Sequence, residues 1–208
     1  MTKVKSKITP DTILKNFWKD NNRFADLFNA CFFDGNPELN PDDLTEVDTD
    51  ISSLLQFHGY AETVKKIVDV VKKSAYGVDF VILGIENQAK IHYAMPLRHM
   101  LGDAFSYLKE YNELSAKNKR EKSYSSSGEF LSGLTKTDRL HPVIGLCIYY
   151  GEEKRDGPTN LVHMIQVTDD LKPMVSDYKM NLLQIRSIEH FHFQNIDVQN
   201  WLQESTPQ

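Results

Sequence analysis

An almost unbroken apolar run, Val78, Phe80, Val81, Ile82 and Leu83, is entered from Tyr76-Gly77 and left through Gly84-Ile85-Glu86-Asn87-Gln88. A short β-branched and aliphatic run bounded by a turn signal predicts a buried strand. Residues 65–74 (KKIVDVVKKS) precede it and hold Asp69 between Val68 and Val70. The turn around Tyr76-Gly77 makes the two runs antiparallel neighbours, so a hairpin is expected over residues 64–91. Upstream, Ile13, Leu14, Phe17 and Trp18 form one helical set, and Phe24, Leu27, Phe28, Cys31 and Phe32 form the next. Asp20-Asn21-Asn22 is a break that supplies an N-cap, and Asp34-Gly35 closes the second helix. Residues 44–57 fit either a short helix or a weak strand.

Pro96 opens a strong helix whose apolar stripe is Leu97, Met100, Leu101, Ala104, Phe105 and Leu108. His99, Asp103 and Tyr107 recur at four-residue spacing along its edge. Residues 115–129 (SAKNKREKSYSSSGE) are polar and read as a frayed helix end or a mobile loop. Strands are expected at residues 143–150, closed by Gly151, and at 180–188, with a helical turn at 161–165 and a weak helix at 198–202. Helix, strands, long helix and strand in that order predict an α/β core, a central mixed β-sheet flanked by helices. The division expected is a basic segment and short helix over residues 1–19, one domain over 20–190, and a polar tail over 191–208.

Composition changes this picture little. With 40% hydrophobic and 25% charged residues, the chain is an ordinary globular one. No apolar run reaches the roughly 18–20 residues that span a bilayer, and the N-terminal lysines lead into no apolar signal segment. Cys31 and Cys147 lie in apolar stretches, which fits packed thiols and a cytoplasmic location. The formal net charge of −5 argues against broad electrostatic binding of nucleic acid but leaves room for a local basic groove.

The candidate chemistry sits at the exit of the hairpin. A strand alternates faces, so Glu86 and Gln88 share one side, and Asp69 is a neighbour from the preceding strand. Buried carboxylates need partners. Two of them at a strand end suit a hard divalent cation, Mg²⁺ or Mn²⁺, bound by Asp69 and Glu86. Such an ion binds a phosphate oxygen and activates water, with Gln88 orienting one or the other. The plainer reading makes Asp69 an edge carboxylate paired with Lys65 or Lys90. The stripe of His99, Asp103 and Tyr107 is either support for the site or a solvated edge. Lys117, Lys119, Arg120 and Lys122 are the densest basic cluster, a DNA contact or a solvated helix end. His190 and His192 are a weaker metal candidate, lacking a nearby carboxylate or cysteine in sequence.

The order Asp69, sixteen residues, then Glu86-Asn87-Gln88 resembles the PD-(D/E)XK nuclease superfamily, with Gln88 where its lysine usually stands. More closely, the chain resembles the recombination-promoting nuclease, or transposase-like, family of that superfamily. The matching stretches are RFADLFNACFFDG (residues 23–35), VDVVKK (68–73), FVILGIENQ (80–88), MPLRHM (95–100), Asp103 with Tyr107, EFLSG (129–133), IYYG (148–151) and DGPTNLVHM (156–164). They span roughly residues 20–185. The resemblance implies a restriction-endonuclease-like core and a Mg²⁺-dependent DNA endonuclease. In it Asp69, Glu86 and Gln88 are catalytic and DNA is the partner; whether the chain is a monomer or a homodimer stays open. The alternative is an inactive mobile-element relative that binds DNA or protein.

Overall fold

The structure, a computed structural model, describes residues 10–46, 70–74 and 81–205; at Pro10, Asp11, Val81, Ile82, Leu83, Glu86 and Ser205 it describes the backbone only. Five strands form one sheet among these residues, in chain order: β1 (Thr45–Glu46), β2 (Val70–Ser74), β3 (Val81–Gln88), β4 (Val143–Tyr149) and β5 (Asn181–Gln184). β1, β2 and β3 are antiparallel neighbours, whereas β3, β4 and β5 run parallel. The sheet is therefore mixed, as the order of elements predicts. The expected hairpin is the β2–β3 pair, in which Val70 lies across from Ile85 and Ser74 from Val81. Its turn at Tyr76-Gly77 lies outside the described residues.

Helix α1 (Pro10–Trp18) and helix α2 (Asn21–Phe32) break at Asp20, whose carboxylate accepts the N–H groups of Asn22 and Arg23 at 2.9 and 3.1 Å. That is the N-cap the sequence predicts, satisfying donors that a helix leaves unpaired. After Phe33 the chain turns through Asp34 and Gly35, both left-handed, and the Gly35 N–H returns to the Asn29 carbonyl at 3.0 Å. A Cβ on Gly35 would also lie 2.7 Å from the His192 carbonyl oxygen, so this position needs glycine twice over.

The main core lies on one face of the sheet. Trp18, Phe24, Leu27 and Phe28 pack on Val70, Ile85, Leu146, Ile148 and Leu183, each at alternate strand positions. The last helix, α5 (Ile196–Ser205), closes this layer with the buried Val198 and Leu202. Helix α1, from the segment expected before residue 20, and helix α5, from the expected polar tail, thus both contribute side chains to the core. Trp18, Phe17 and Trp201 meet edge to face or tilted, with centroids 4.8–5.8 Å apart.

Helix α3 (Met95–Glu121) crosses the opposite face, on which Met95 packs with Cys147 and Met180. It spans about 40 Å. Its orientation reverses the expected one. Leu97, Leu101 and Leu108 are each more than a third exposed, while His99 and Gly102 are buried. The cause is the surface beneath. Gly145 on β4 is paired with Gly84 on β3, and a Cβ at Gly145 would stand 3.0 Å from His99 Nδ1 and 3.5 Å from Asp103 Oδ1. A pair of glycines offers backbone rather than side chains, and the polar edge of α3 fits down onto it.

The segment expected to be loose is ordered. Helix α3 continues to Glu121 and ends at a left-handed Lys122. Ser126 caps helix α4 (Ser127–Ser132), and the Glu129 carboxylate accepts from the Ser125 hydroxyl at 2.7 Å, the Ser125 N–H at 2.6 Å and the Lys136 N–H at 2.8 Å. Those donors, the Ser125 hydroxyl foremost, hold its carboxyl down at about 2. The strand expected over residues 180–188 stops at Gln184 and turns into a 3₁₀ segment, Ile185–Ser187, which places Ile185 in the core. Of residues 44–57, Thr45 and Glu46 form a strand and those from 47 on lie outside the described set. Among the described residues no helix is long and apolar enough to cross a membrane.

The packing of α5 makes a direct prediction. Leu202→Ala should lower unfolding free energy by about 2–5 kcal/mol, and Ile196→Ala, at an exposed position, by no more than about 0.5 kcal/mol. Urea denaturation of the two variants measures both; equal small losses would mean that the last helix is not part of the core.

Candidate functional site

Strand β3 carries Glu86 and Gln88 to the carboxyl ends of the parallel strands. Glu86 pairs with Cys147 and Gln88 with Tyr149. Between them Asn87 belongs to the other face, where its Oδ1 accepts the buried Trp18 indole N–H at 3.1 Å. With Asn87 committed to the α1 side, positions 86 and 88 belong to the α3 side. The Gln88 carbonyl accepts the Tyr150 N–H at 3.0 Å, extending the β3–β4 pairing past Tyr149. Asp69 lies outside the described residues, as does the Glu86 carboxylate. The neighbours of both are paired: Val70, next after Asp69, is across from Ile85, next before Glu86.

The stripe on α3 does face the sheet. His99 is buried against Gly145, one two-residue repeat before the Glu86–Cys147 pair, or about 7 Å along the strand. Asp103 accepts a hydrogen bond from the Tyr178 hydroxyl at 2.6 Å, joining α3 to the segment that enters β5. The Tyr107 oxygen accepts the Val143 N–H at 3.3 Å, at the first residue of β4. The stripe therefore runs away from Glu86, with His99 nearest and Tyr107 about 13 Å along the strand.

The basic residues spread around the end of α3. Lys117, Lys119, Arg120 and Lys122 are exposed, while Asn118 among them is buried and donates to Asp138 Oδ2 at 2.7 Å. Lys117 lines a cavity of about 670 Å³ with Lys73, Arg139, His141, Glu110 and Glu113. There Glu110 accepts the His141 backbone N–H at 3.1 Å and pairs with its Nδ1. This pair is not legible in the sequence, since nothing local links residues 31 positions apart; the same is true of Tyr178 with Asp103 and of Tyr93 with Asp156.

His192 is exposed and lies 3.6 Å from the Asp34 carboxylate; His190 is exposed as well. Among the described residues no three His, Cys, Asp or Glu side chains come together as a metal site. Asp69 and the Glu86 carboxylate are not in that set. No protein-family model matches the chain, and neither the curated proteins nor the solved structures contain a match to it.

The buried pair on α3 titrates in opposite senses. Burial pushes the Asp103 carboxyl up from 3.8 to about 6, with the Tyr178 hydrogen bond opposing. Burial, then the Arg98 charge, holds His99 down from 6.5 to about 4. Below about pH 6 the fold gains a proton at Asp103 before the unfolded chain does, so acid favours the fold through that group. Below 6.5 the unfolded chain gains a proton at His99 before the fold does, so acid disfavours the fold through that one. The two contributions offset each other between pH 6 and 4. Asp103→Asn keeps an acceptor for Tyr178 and removes the first contribution. Its unfolding free energy should fall by about 2 kcal/mol more than that of the wild type between pH 6.5 and 4. Urea titrations across that range measure it, and parallel pH profiles for the two proteins would refute the opposition.

Proposed function

We propose that this chain is a divalent-metal-dependent DNA endonuclease with a restriction-endonuclease-like core, of the recombination-promoting nuclease, transposase-like type. The observation that carries the reading is the hairpin: an antiparallel β2–β3 pair in which the successor of Asp69 opposes the predecessor of Glu86. It supports two carboxylates from adjacent strands at the end of a core strand that continues to Gln88. The donor set fits Mg²⁺ or Mn²⁺, hard cations that take carboxylate oxygens. Asp69 and Glu86 would hold the ion; bound there, it supplies Lewis acidity toward a phosphate oxygen and an acidified water.

The chain's own groups do the rest. Gln88 brings an amide that can donate to a phosphate oxygen and accept from the attacking water, but it brings no charge where the family places a lysine. Gln88 would therefore contribute hydrogen bonds and no positive charge to the phosphoryl group. His99, neutral above about pH 4, places no positive charge beneath the sheet at neutral pH. The exposed Lys117, Lys119, Arg120 and Lys122 are the groups proposed to neutralise the DNA backbone. In this reading the protein is cytoplasmic, with Cys31 and Cys147 as thiols.

A second reading has its own support. The replacement of lysine by Gln88 and the net charge of −5 both suit a non-catalytic relative that binds DNA or protein. Plasmid nicking separates the two. Nicking should require Mg²⁺ or Mn²⁺, run faster with Mn²⁺, and stop in EDTA. Asp69→Ala and Glu86→Ala should each lower it by more than about a hundredfold, and Gln88→Ala by a smaller factor. A wild-type protein that never nicks, with a melting temperature indifferent to Mn²⁺, would leave the binding module in its place. Nicking that survives Asp69→Ala would move the activity away from this hairpin.

A further inference from the structure

A cavity of about 640 Å³ opens beyond the ends of β3 and β4, directly after Gln88 and Tyr149. Its walls include Lys90, Tyr93, Tyr149, Tyr150, Glu152 and Glu153. The volume is in the range of small-ligand sites, and the carboxyl ends of neighbouring parallel strands are where such sites form in α/β sheets.

Tyr93 is the unusual member. Its side chain is 60% exposed, yet its hydroxyl donates to Asp156 Oδ1 at 3.1 Å, which fixes the ring from a loop 63 residues away. A large apolar ring held in place and left open to water is a stacking surface rather than a packing residue. The loop that follows β4 is also fixed. The Tyr149 hydroxyl donates to the Glu153 carbonyl at 2.8 Å, and Arg186 donates to the Gly151 and Glu152 carbonyls. A Cβ at Gly151 would stand 2.5 Å from both the Ala89 carbonyl oxygen and the Tyr149 hydroxyl, so the loop closes there with no space to spare.

The polar groups select among flat ligands. Glu152 and Glu153 are exposed acceptors that repel phosphate and suit the exocyclic amino group of a base. Among the described residues Lys90 is the cation in the lining and suits a phosphate outside it. A base paired in a duplex cannot bring its face onto a side chain in a recess; an unpaired one can.

We propose that this cavity takes a nucleobase of an unpaired DNA strand, stacked on Tyr93, within a nucleotide or two of the phosphate held at Gln88. The inference deepens the nuclease reading and rests on it for the identity of the polymer. It makes the preferred substrate single-stranded or distorted DNA.

The test uses the full chain in EDTA, so that binding is read without cleavage. The probe is a single-stranded oligonucleotide carrying one 2-aminopurine, beside its duplex and an abasic version with the same phosphates. Wild type should quench the probe and bind the single strand more tightly than the duplex or the abasic strand. Tyr93→Ala should weaken binding at least about fivefold and abolish the quench, the lower end of what one lost stack costs. Tyr93→Phe keeps the ring and should bind within about twofold of wild type. Unchanged melting temperatures confirm that both variants fold. Wild-type affinity in Tyr93→Ala, equal affinity for the abasic strand, or no binding to single strands at all would each overturn the proposal. Metal-dependent nicking with any of those results leaves the nuclease and removes the pocket; stacking without nicking leaves the pocket on a DNA-binding module.

Discussion

The buried indole of Trp18 has one N–H, and Asn87 is its acceptor. An indole N–H without a partner in this core would cost roughly 1–3 kcal/mol, so the contact constrains both ends of the chain at once. From the N-terminal side it fixes α1 against the central strand. From the C-terminal side Trp201 packs on the same ring. On β3 it decides which face residue 87 occupies, and the two-residue repeat then assigns positions 86 and 88 to the other. The orientation of the candidate site is thus set by a bond on the far side of the sheet from it.

What a reader of the sequence recovers follows the range of the forces involved. The β2–β3 hairpin, the Asp20 cap, the Asp34-Gly35 stop and the strand ending at Gly151 are local patterns and are found in the structure. The orientation of α3 is not local. Periodicity identifies Leu97, Leu101 and Leu108 as one stripe, but which stripe turns inward depends on what the sheet presents. Gly84 and Gly145, 61 positions apart, present a bare strip of backbone. In the last twenty residues, Val198 and Leu202 stand at helical spacing among polar neighbours, which announces a weak helix but not its burial, yet they fill the space beside Trp18.

The candidate site divides the same way. Glu86 and Gln88 at the end of a core strand are legible because polar residues closing an apolar run are conspicuous. The partners that fix the surroundings are legible nowhere in one segment: Tyr178 for Asp103, Glu110 for His141 and Asp156 for Tyr93 come from distant loops. Short polar side chains meet across the fold only after the backbone has brought them together, and no composition or spacing marks them beforehand.

Lys72 gives the hairpin something that apolar packing does not. It lies buried on β2 beneath α2, donating to the Lys19 carbonyl at 2.5 Å and to Asn21 Oδ1, with its ammonium 5.0 Å above the centre of the Phe24 ring. Valines are interchangeable under translation; a strand of them slid by two residues still presents valine. A cation with two fixed acceptors is not interchangeable. Sliding β2 by one residue turns the ammonium to the wrong side of the sheet, and sliding it by two carries it about 7 Å from its acceptors. Either error strands a charge in the interior at a cost of several kcal/mol. Lys72 therefore works as an alignment key, rejecting the wrong strand offsets and keeping Val70 opposite Ile85. A methionine of similar length would fill the same space but would no longer distinguish one offset from the next.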